Sequence, residues 1–328
     1  MTQETAYQKI GIVFILIMLA FLILSPIILP NTWFESHDGL FALMRMDLFK
    51  EAFMHGIIYP RWLPDLYGGY GYPMFVFYHP GFYYLTLLFS SLPFYPMSTM
   101  YAALLILLVI GGLGAYLLGK ALSDTRTGLF GALLFLLTPY IYVDLYVRGD
   151  LPELMAILLC PWSFVFLNQI KTRVEDQKTA ITPLVFLSLS IAGVILSHLL
   201  VTIVFLPVFI VIAIYLSKDF QTQRKRFLIL IAASFILGLA LSSPYWFTVY
   251  QMKKYVSFLA AQNDYFYPPN HTVYFTQLFK RDWGFGLPTP QDAHDTISFQ
   301  LGLPHFILAT LGAWTSRKNR LIQISYIL

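Results

Sequence analysis

Three stretches gather residue types capable of chemistry, in a chain otherwise dominated by apolar runs. The first is Glu35–Tyr84, which carries His37, Asp38, Arg45, Arg61, Tyr70, Tyr72 and His79 among glycines, prolines and aromatics. Loops that line sites are built this way, with a rigid scaffold holding reactive side chains on irregular backbone. Asp38 could act as a general base or hold a metal ion; equally, it could cap the helix that the next residues begin. The second is Y-V-R-G-D-L-P-E, residues 146–153. Arg148 there could grip a phosphate with its planar fork, and Asp150 and Glu153, three apart, could share one helical face. The alternative is a connecting loop with an internal ion pair, but charge beside apolar helices is expensive and points to function. The third is His198, at the end of an apolar run, which could touch substrate or be structural. Arg61-Trp62, between Pro60 and Pro64, could bind a phosphate or a ring, or anchor the chain at a membrane interface. Asp38, Asp150 and Glu153 are therefore the candidate catalytic residues. Arg148, Arg61, His37, Arg45, Tyr70, Tyr72, His79 and His198 are candidate substrate-binding residues. No metal-binding set is assigned, and a divalent cation remains an open cofactor.

The elements that must position these residues are membrane helices. Of 328 residues, 58% are hydrophobic and only 12% are charged, about half the charge of a soluble domain. The pattern predicts an all-α polytopic membrane protein with spans at 10–30, 98–118, 128–146, 154–170, 181–198, 199–217, 227–248 and 303–315. The first run is longer than a signal-peptide core and has no small-residue cleavage site, so it reads as a retained helix. The predicted order is a first span over 1–30, an outer loop over 31–97 with juxtamembrane and re-entrant helices, and a helix bundle over 98–248. A second outer loop follows over 249–302, then a further span and a short apolar end over 303–328. That end, after Arg320, is too short to span and points to a longer parent chain. The single cysteine, Cys160, excludes an intramolecular disulfide. The cations fall in short clusters between apolar runs, which does not suggest nucleic acid. Walker, Rossmann, H-E-x-x-H and G-x-S-x-G patterns are missing.

Charge sets the expected sidedness. If 74–93 does not cross, thirteen of the 21 basic residues fall in short loops on the same side as the N-terminus. The positive-inside rule makes that side cytoplasmic. The run 74–93 is then interfacial or re-entrant, which suits Pro73, Pro80, Tyr78, His79, Tyr83 and Tyr84. Twelve of the 17 acidic residues fall on the opposite, outer face, with Asp38, Arg61, the 148–153 segment and His198. Residues 40–54 are expected to form an amphipathic surface helix, with Leu40, Leu43, Met44, Phe49 and Phe53 on its apolar side and Arg45, Asp47, Lys50 and Glu51 on its polar side. The loop 249–302 suits sugar or peptide recognition, or a folded interfacial cap. Asn270-His271-Thr272 within it matches a glycosylation sequon, a triplet common by chance.

H-D-G-L-F with Arg45 (37–45), Y-P-R-W-L-P-D-L-Y-G-G-Y-G-Y-P-M-F-V-F-Y (59–78) and Y-V-R-G-D-L-P-E (146–153) carry a resemblance. The chain resembles bacterial polytopic membrane proteins of the 6-pyruvoyl-tetrahydropterin synthase-related family, most clearly over 31–160 and more weakly to about 250. Soluble pterin synthases use a histidine zinc site, which this chain lacks, so the family name is a poor guide to chemistry. Such membrane proteins in turn look like GT-C glycosyltransferases. That resemblance implies a cytoplasmic N-terminus in the bacterial cell membrane, juxtamembrane helices in the first outer loop, and an extracytoplasmic site. It implies an acidic residue early in that loop, matched by Asp38, and a second after the third span, matched by Asp150 or Glu153. It also implies a polyprenyl-phosphate-linked sugar as partner. A histidine expected near Ala42 is missing, and relatives are usually longer. The alternative function is a non-catalytic transporter or assembly factor for lipid-linked glycans.

Overall fold

The computed structural model describes residues 6–256, 273–281, 283–285 and 297–316. The glycosylation triplet, much of the 249–302 loop, and the basic cluster at 317–320 lie outside them. Among the described residues the regular secondary structure is helical, apart from one isolated bridge between Leu63 and Tyr72. The elements are α1 (Ala6–Ile28), α2 (Gly39–Met54), α3 (Met74–Phe77), α4 (Gly81–Leu87), α5 (Met97–Leu122), α6 (Thr125–Leu136) and α7 (Pro139–Tyr142). A π-helical turn (Val143–Arg148) follows, then α8 (Leu151–Glu175), α9 (Ile181–Ser197), α10 (Leu199–Leu216), α11 (Arg224–Met252) and α12 (Leu303–Thr315).

Among the described residues, five helices are long and apolar enough to cross a membrane: α1, α5, α8, α10 and α11. The expected span at 128–146 is instead broken. Its halves, α6 and α7 with the π turn, bend by 45° and together make a sixth candidate. The break sits at Thr138-Pro139, where the proline disfavours helical backbone in the residue before it. Helices α9 and α12, of 17 and 13 residues, fall short of the ~20 residues a straight span needs, so the eight expected spans are not all full ones. The run 74–93 holds only α3 and α4, of 4 and 7 residues. Neither can cross.

Helix α8 is the central post. Leu151, Leu154 and Leu158 near its start join a core with Leu16 and Leu24 of α1, Met46 and Phe49 of α2, Phe82 of α4 and Leu104 of α5. Leu167 and Ile170, further along, join Leu187 and Ile191 of α9, Phe209 of α10, and Phe227 and Tyr245 of α11. Away from these cores the long helices turn large apolar side chains outward, among them Phe14, Leu22, Leu200, Val204 and Ile236. A helix apolar on both its inner and outer faces is at home in lipid.

Helix α2 forms where the sequence places it. It packs Ala42, Met46, Phe49 and Ala52 against the protein, while Leu40 and Phe53, expected on its apolar side, are exposed. Phe49 packs edge-on against Phe75 and Tyr84, both about 4.9 Å away. The neighbours that cover this stripe come from the 74–93 run.

Candidate functional site

The two motifs farthest apart in the first half of the chain meet directly. The backbone N–H of His37 donates to the Val147 carbonyl at 2.9 Å, and that of Asp38 to the Arg148 carbonyl at 2.7 Å. Such a close approach needs residues without side chains. Gly149 is left-handed, with φ of 67°, and a Cβ on it would lie 2.5 Å from Ser36 Oγ and 2.6 Å from Gly39 N. It also caps the π turn through its N–H to the Asp144 carbonyl, the usual role of a left-handed glycine. Replacing Gly149 with alanine should therefore cost about 1–2 kcal/mol for the left-handed backbone, with the clash added. Thermal unfolding of the purified variant measures this, and an unchanged midpoint would contradict the junction.

Asp38 sits at the first turn of α2 but does not cap it through its side chain. Ser36 Oγ accepts the Gly39 N–H instead, at 3.1 Å, so the capping role passes to a residue the sequence did not single out. The Asp38 carboxylate makes no hydrogen bond or ion pair among the described residues.

Behind this junction lies a dense ionic cluster. Arg148 Nη1 contacts Asp144 Oδ1 at 2.8 Å and Glu153 Oε2 at 2.7 Å, and Nη2 lies 3.6 Å from Asp150 Oδ2. Arg148 also donates to the Tyr140 hydroxyl at 2.5 Å, and that hydroxyl donates to Glu153 Oε1 at 2.7 Å. The sequence pattern works locally. Asp144 and Arg148 are four apart on one turn, and Asp150 caps α8 by accepting the Glu153 N–H at 3.2 Å. Asp144 is fully buried, and its Oδ2 has no partner. Three carboxylates thus share one guanidinium, and the cluster is net acidic. Burial pushes the Asp150 carboxyl up, with Glu153 adding to it, while His198 and Arg148 oppose the shift.

His198 closes the far side. It is the single residue between α9 and α10, in extended backbone. Its Nε2 stands 3.7 Å from Asp150 Oδ2 and 3.8 Å from Glu153 Oε2. The ring of His79, from the break between α3 and α4, packs against it with centroids 4.7 Å apart. His79 Nε2 accepts the Leu199 N–H at 2.7 Å, which keeps that imidazole neutral.

Asp150, Glu153 and His198 place ligand atoms within 4.8 Å of one another, close enough to share an ion. The surroundings fit a metal poorly. Arg148 already occupies Glu153 Oε2, and the Val201 N–H points at His198 Nδ1 from 3.4 Å. That contact places the ring proton on Nε2, the atom a metal would need bare. The arrangement is better suited to holding and moving protons.

The other candidates are spread out. His37 Nε2 binds the Phe285 carbonyl at 2.7 Å, which ties the first loop to the second. Arg61 is exposed and lies over the Tyr59 ring at 4.7 Å, apart from the cluster. Tyr70 is exposed at a turn tip. Tyr72 lines a pocket with Arg45, whose guanidinium lies 3.9 Å over the Tyr78 ring. Asp144 and Tyr140 were missed as site residues. The signal was available, because an acid four residues before Arg148 is an ion-pair spacing.

His79 carries a pH prediction. Burial, then the neighbouring His198, holds its pKa down at about 3, from an ordinary 6.5. Below pH 6.5 the unfolded chain takes up this proton and the folded one does not, so stability falls as pH drops from about 6.5 toward 3. The raised Asp150 carboxyl works in the opposite sense. His79→Asn, which keeps an acceptor for Leu199, should flatten the acid limb of the thermal-unfolding midpoint against pH. An acid limb as steep as in wild type would contradict a neutral, buried His79.

The comparisons with known proteins point one way. No curated protein and no solved structure matches the chain. The pattern of one family of membrane proteins matches residues 75–327, a stretch that takes in the π turn, the ionic cluster and both histidines. On that match the chain belongs to the 6-pyruvoyl-tetrahydropterin synthase related domain family.

Proposed function

We propose that this chain is a membrane glycosyltransferase of GT-C type, transferring a sugar from a polyprenyl-phosphate-linked donor to an acceptor on the extracytoplasmic face. The observation that carries the reading is the free Asp38 carboxylate, pinned through its backbone to Arg148 at the rim of an acidic cluster. In the transfer, Asp38 takes the proton of an acceptor hydroxyl. The hydroxyl oxygen then attacks the anomeric carbon, and the bond from that carbon to the phosphate oxygen breaks. Polyprenyl phosphate leaves with the electron pair. Positive charge develops on the sugar ring in such a transition state, and Asp150 and Glu153 stabilise it electrostatically. Arg148, fully engaged, keeps these carboxylates together. The lipid tail lies against the outward apolar faces of the long helices. The clustering of basic residues in the loops supports a cytoplasmic N-terminus, and the bacterial cell membrane follows from the resemblance alone.

The test is a proteoliposome assay with donor labelled in the sugar. Label appearing on an acceptor, with polyprenyl phosphate released, is the expected result. A second reading, movement of the intact lipid-linked glycan without chemistry, draws on the broken span and the buried Asp144 inside it, features that transporters share. Intact donor on the far leaflet with no covalent product would favour that reading and reject transfer.

A further inference from the structure

A second set of unpaired polar atoms lies outside the ionic cluster. Arg45 projects from α2 with Nε and Nη1 buried and without a hydrogen-bond acceptor, and among the described residues it has no carboxylate partner. Beside it lies the buried Tyr83 hydroxyl, which interacts with Arg45 and Tyr78 without forming a well-aligned hydrogen bond to either. The Tyr78 ring, 3.9 Å below the guanidinium, offers a cation–π contact, which offsets only part of the desolvation of a full charge. A half-buried cation with two unpaired nitrogens is unfavourable to leave so, and an anion would complete it. Space for that anion is present. Arg45 lines a cavity of about 450 Å³ under the G-G-Y-G-Y-P turn, walled by Tyr67, Tyr72, Phe77 and Tyr78. That volume lies in the range of small-molecule sites.

We infer that the Arg45 cavity is a binding site for a phosphate-bearing ligand, with the phosphate on the guanidinium and the adjoining ring or chain against the aromatic wall. Guanidinium matches phosphate in both charge and planar donor geometry. The cavity is larger than a phosphate needs alone, and its tyrosines offer flat faces with polar edges to whatever the phosphate carries. The inference deepens the transferase reading, because it supplies the phosphate site that an engaged Arg148 does not. Binding itself does not depend on transfer and can be measured without it. The phosphate could arrive on a lipid headgroup or free in water, and both present the same chemistry to Arg45.

The experiment uses the full chain in phosphatidylcholine nanodiscs. One arm titrates inorganic phosphate; the other replaces part of the lipid with phosphatidic acid. Thermal unfolding is read for wild type, Arg45→Met, Met74→Trp and Lys9→Met. Wild type should be stabilised in at least one arm, and the responding arm identifies the source. Arg45→Met should unfold no earlier than ligand-free wild type, since a half-buried charge with two unpaired nitrogens has been removed. It should also need at least about tenfold more phosphate for the same shift. Met74→Trp, which fills the cavity without touching Arg45's charge, should lose the response too, so the outcome does not hang on one variant folding. Lys9→Met, at an exposed cation of α1 outside the cavity, should keep it. A wild type that responds in neither arm, or an Arg45→Met or Met74→Trp protein that responds as wild type does, overturns the site. Transfer activity that is absent while phosphate binding persists would reject the transferase reading and leave the site standing.

Discussion

Arg148→Met should destabilise the protein by about 3–5 kcal/mol, the range for breaking a buried ion pair on one side. The guanidinium is the shared counter-ion of Asp144, Asp150 and Glu153, and Asp144 is wholly buried. Without it, carboxylates that cannot reach water must repel one another or take up protons. The cost should therefore be greatest at alkaline pH and shrink in acid, where protonation relieves it. A second substitution gives the argument its sharper form. Asp144→Asn in the Arg148→Met background should recover part of the loss, because it removes the charge left stranded. Coupling between contacting charges of this kind is commonly 0.5–3 kcal/mol. Thermal unfolding of the two single variants and the double variant completes the cycle. Strictly additive losses would show that Arg148 is not the counter-ion of Asp144.

Asp38→Asn should reduce sugar transfer by about 10²–10⁴-fold, the usual contribution of a positioned general base, while leaving the unfolding midpoint close to wild type. The two halves of that expectation come from separate observations. Activity should fall because the carboxylate, pinned beside Arg148 through its backbone, is not engaged by the cluster. Stability should hold because the side chain makes no cap and no ion pair, and the bond that pins it, from its backbone N–H to the Arg148 carbonyl, survives in asparagine. Ser36→Ala should show the reverse pattern, since its hydroxyl accepts the Gly39 N–H. A large loss of stability in Asp38→Asn would make this residue structural and remove its catalytic role.

The helices were legible because apolar runs are a local signal: each residue of α1, α5, α8, α10 and α11 declares its own preference for lipid. The Pro139 break within 128–146 was legible in kind as well, though the expected straight span overrode it. The buried face of α2 was not legible. Leu40 and Phe53 are as apolar as Met46 and Phe49, and only the arrival of Phe75, Tyr83 and Tyr84 from a later segment decides between them. The junction of Asp38 with the 148–153 segment was anticipated only as a shared membrane face, from loop charges. Its contact rests on Gly39 and Gly149, whose significance appears once two backbones are seen to touch. The state of the two arginines was the least legible. One guanidinium sits among three carboxylates and the other has none, and the difference depends on where an acid 4 residues before Arg148 and a tyrosine 33 residues after Arg45 happen to fold. Composition treats the two as equivalent; burial and partners separate them.

The most direct measurement is the yield of polyprenyl phosphate when wild-type and Asp38→Asn proteins, reconstituted in equal amounts, meet a saturating lipid-linked sugar and an acceptor. The wild type should release one polyprenyl phosphate for each sugar transferred, and the variant should release almost none while binding the donor as well. Equal yields from the two proteins, or donor recovered unbroken from both, would contradict the account.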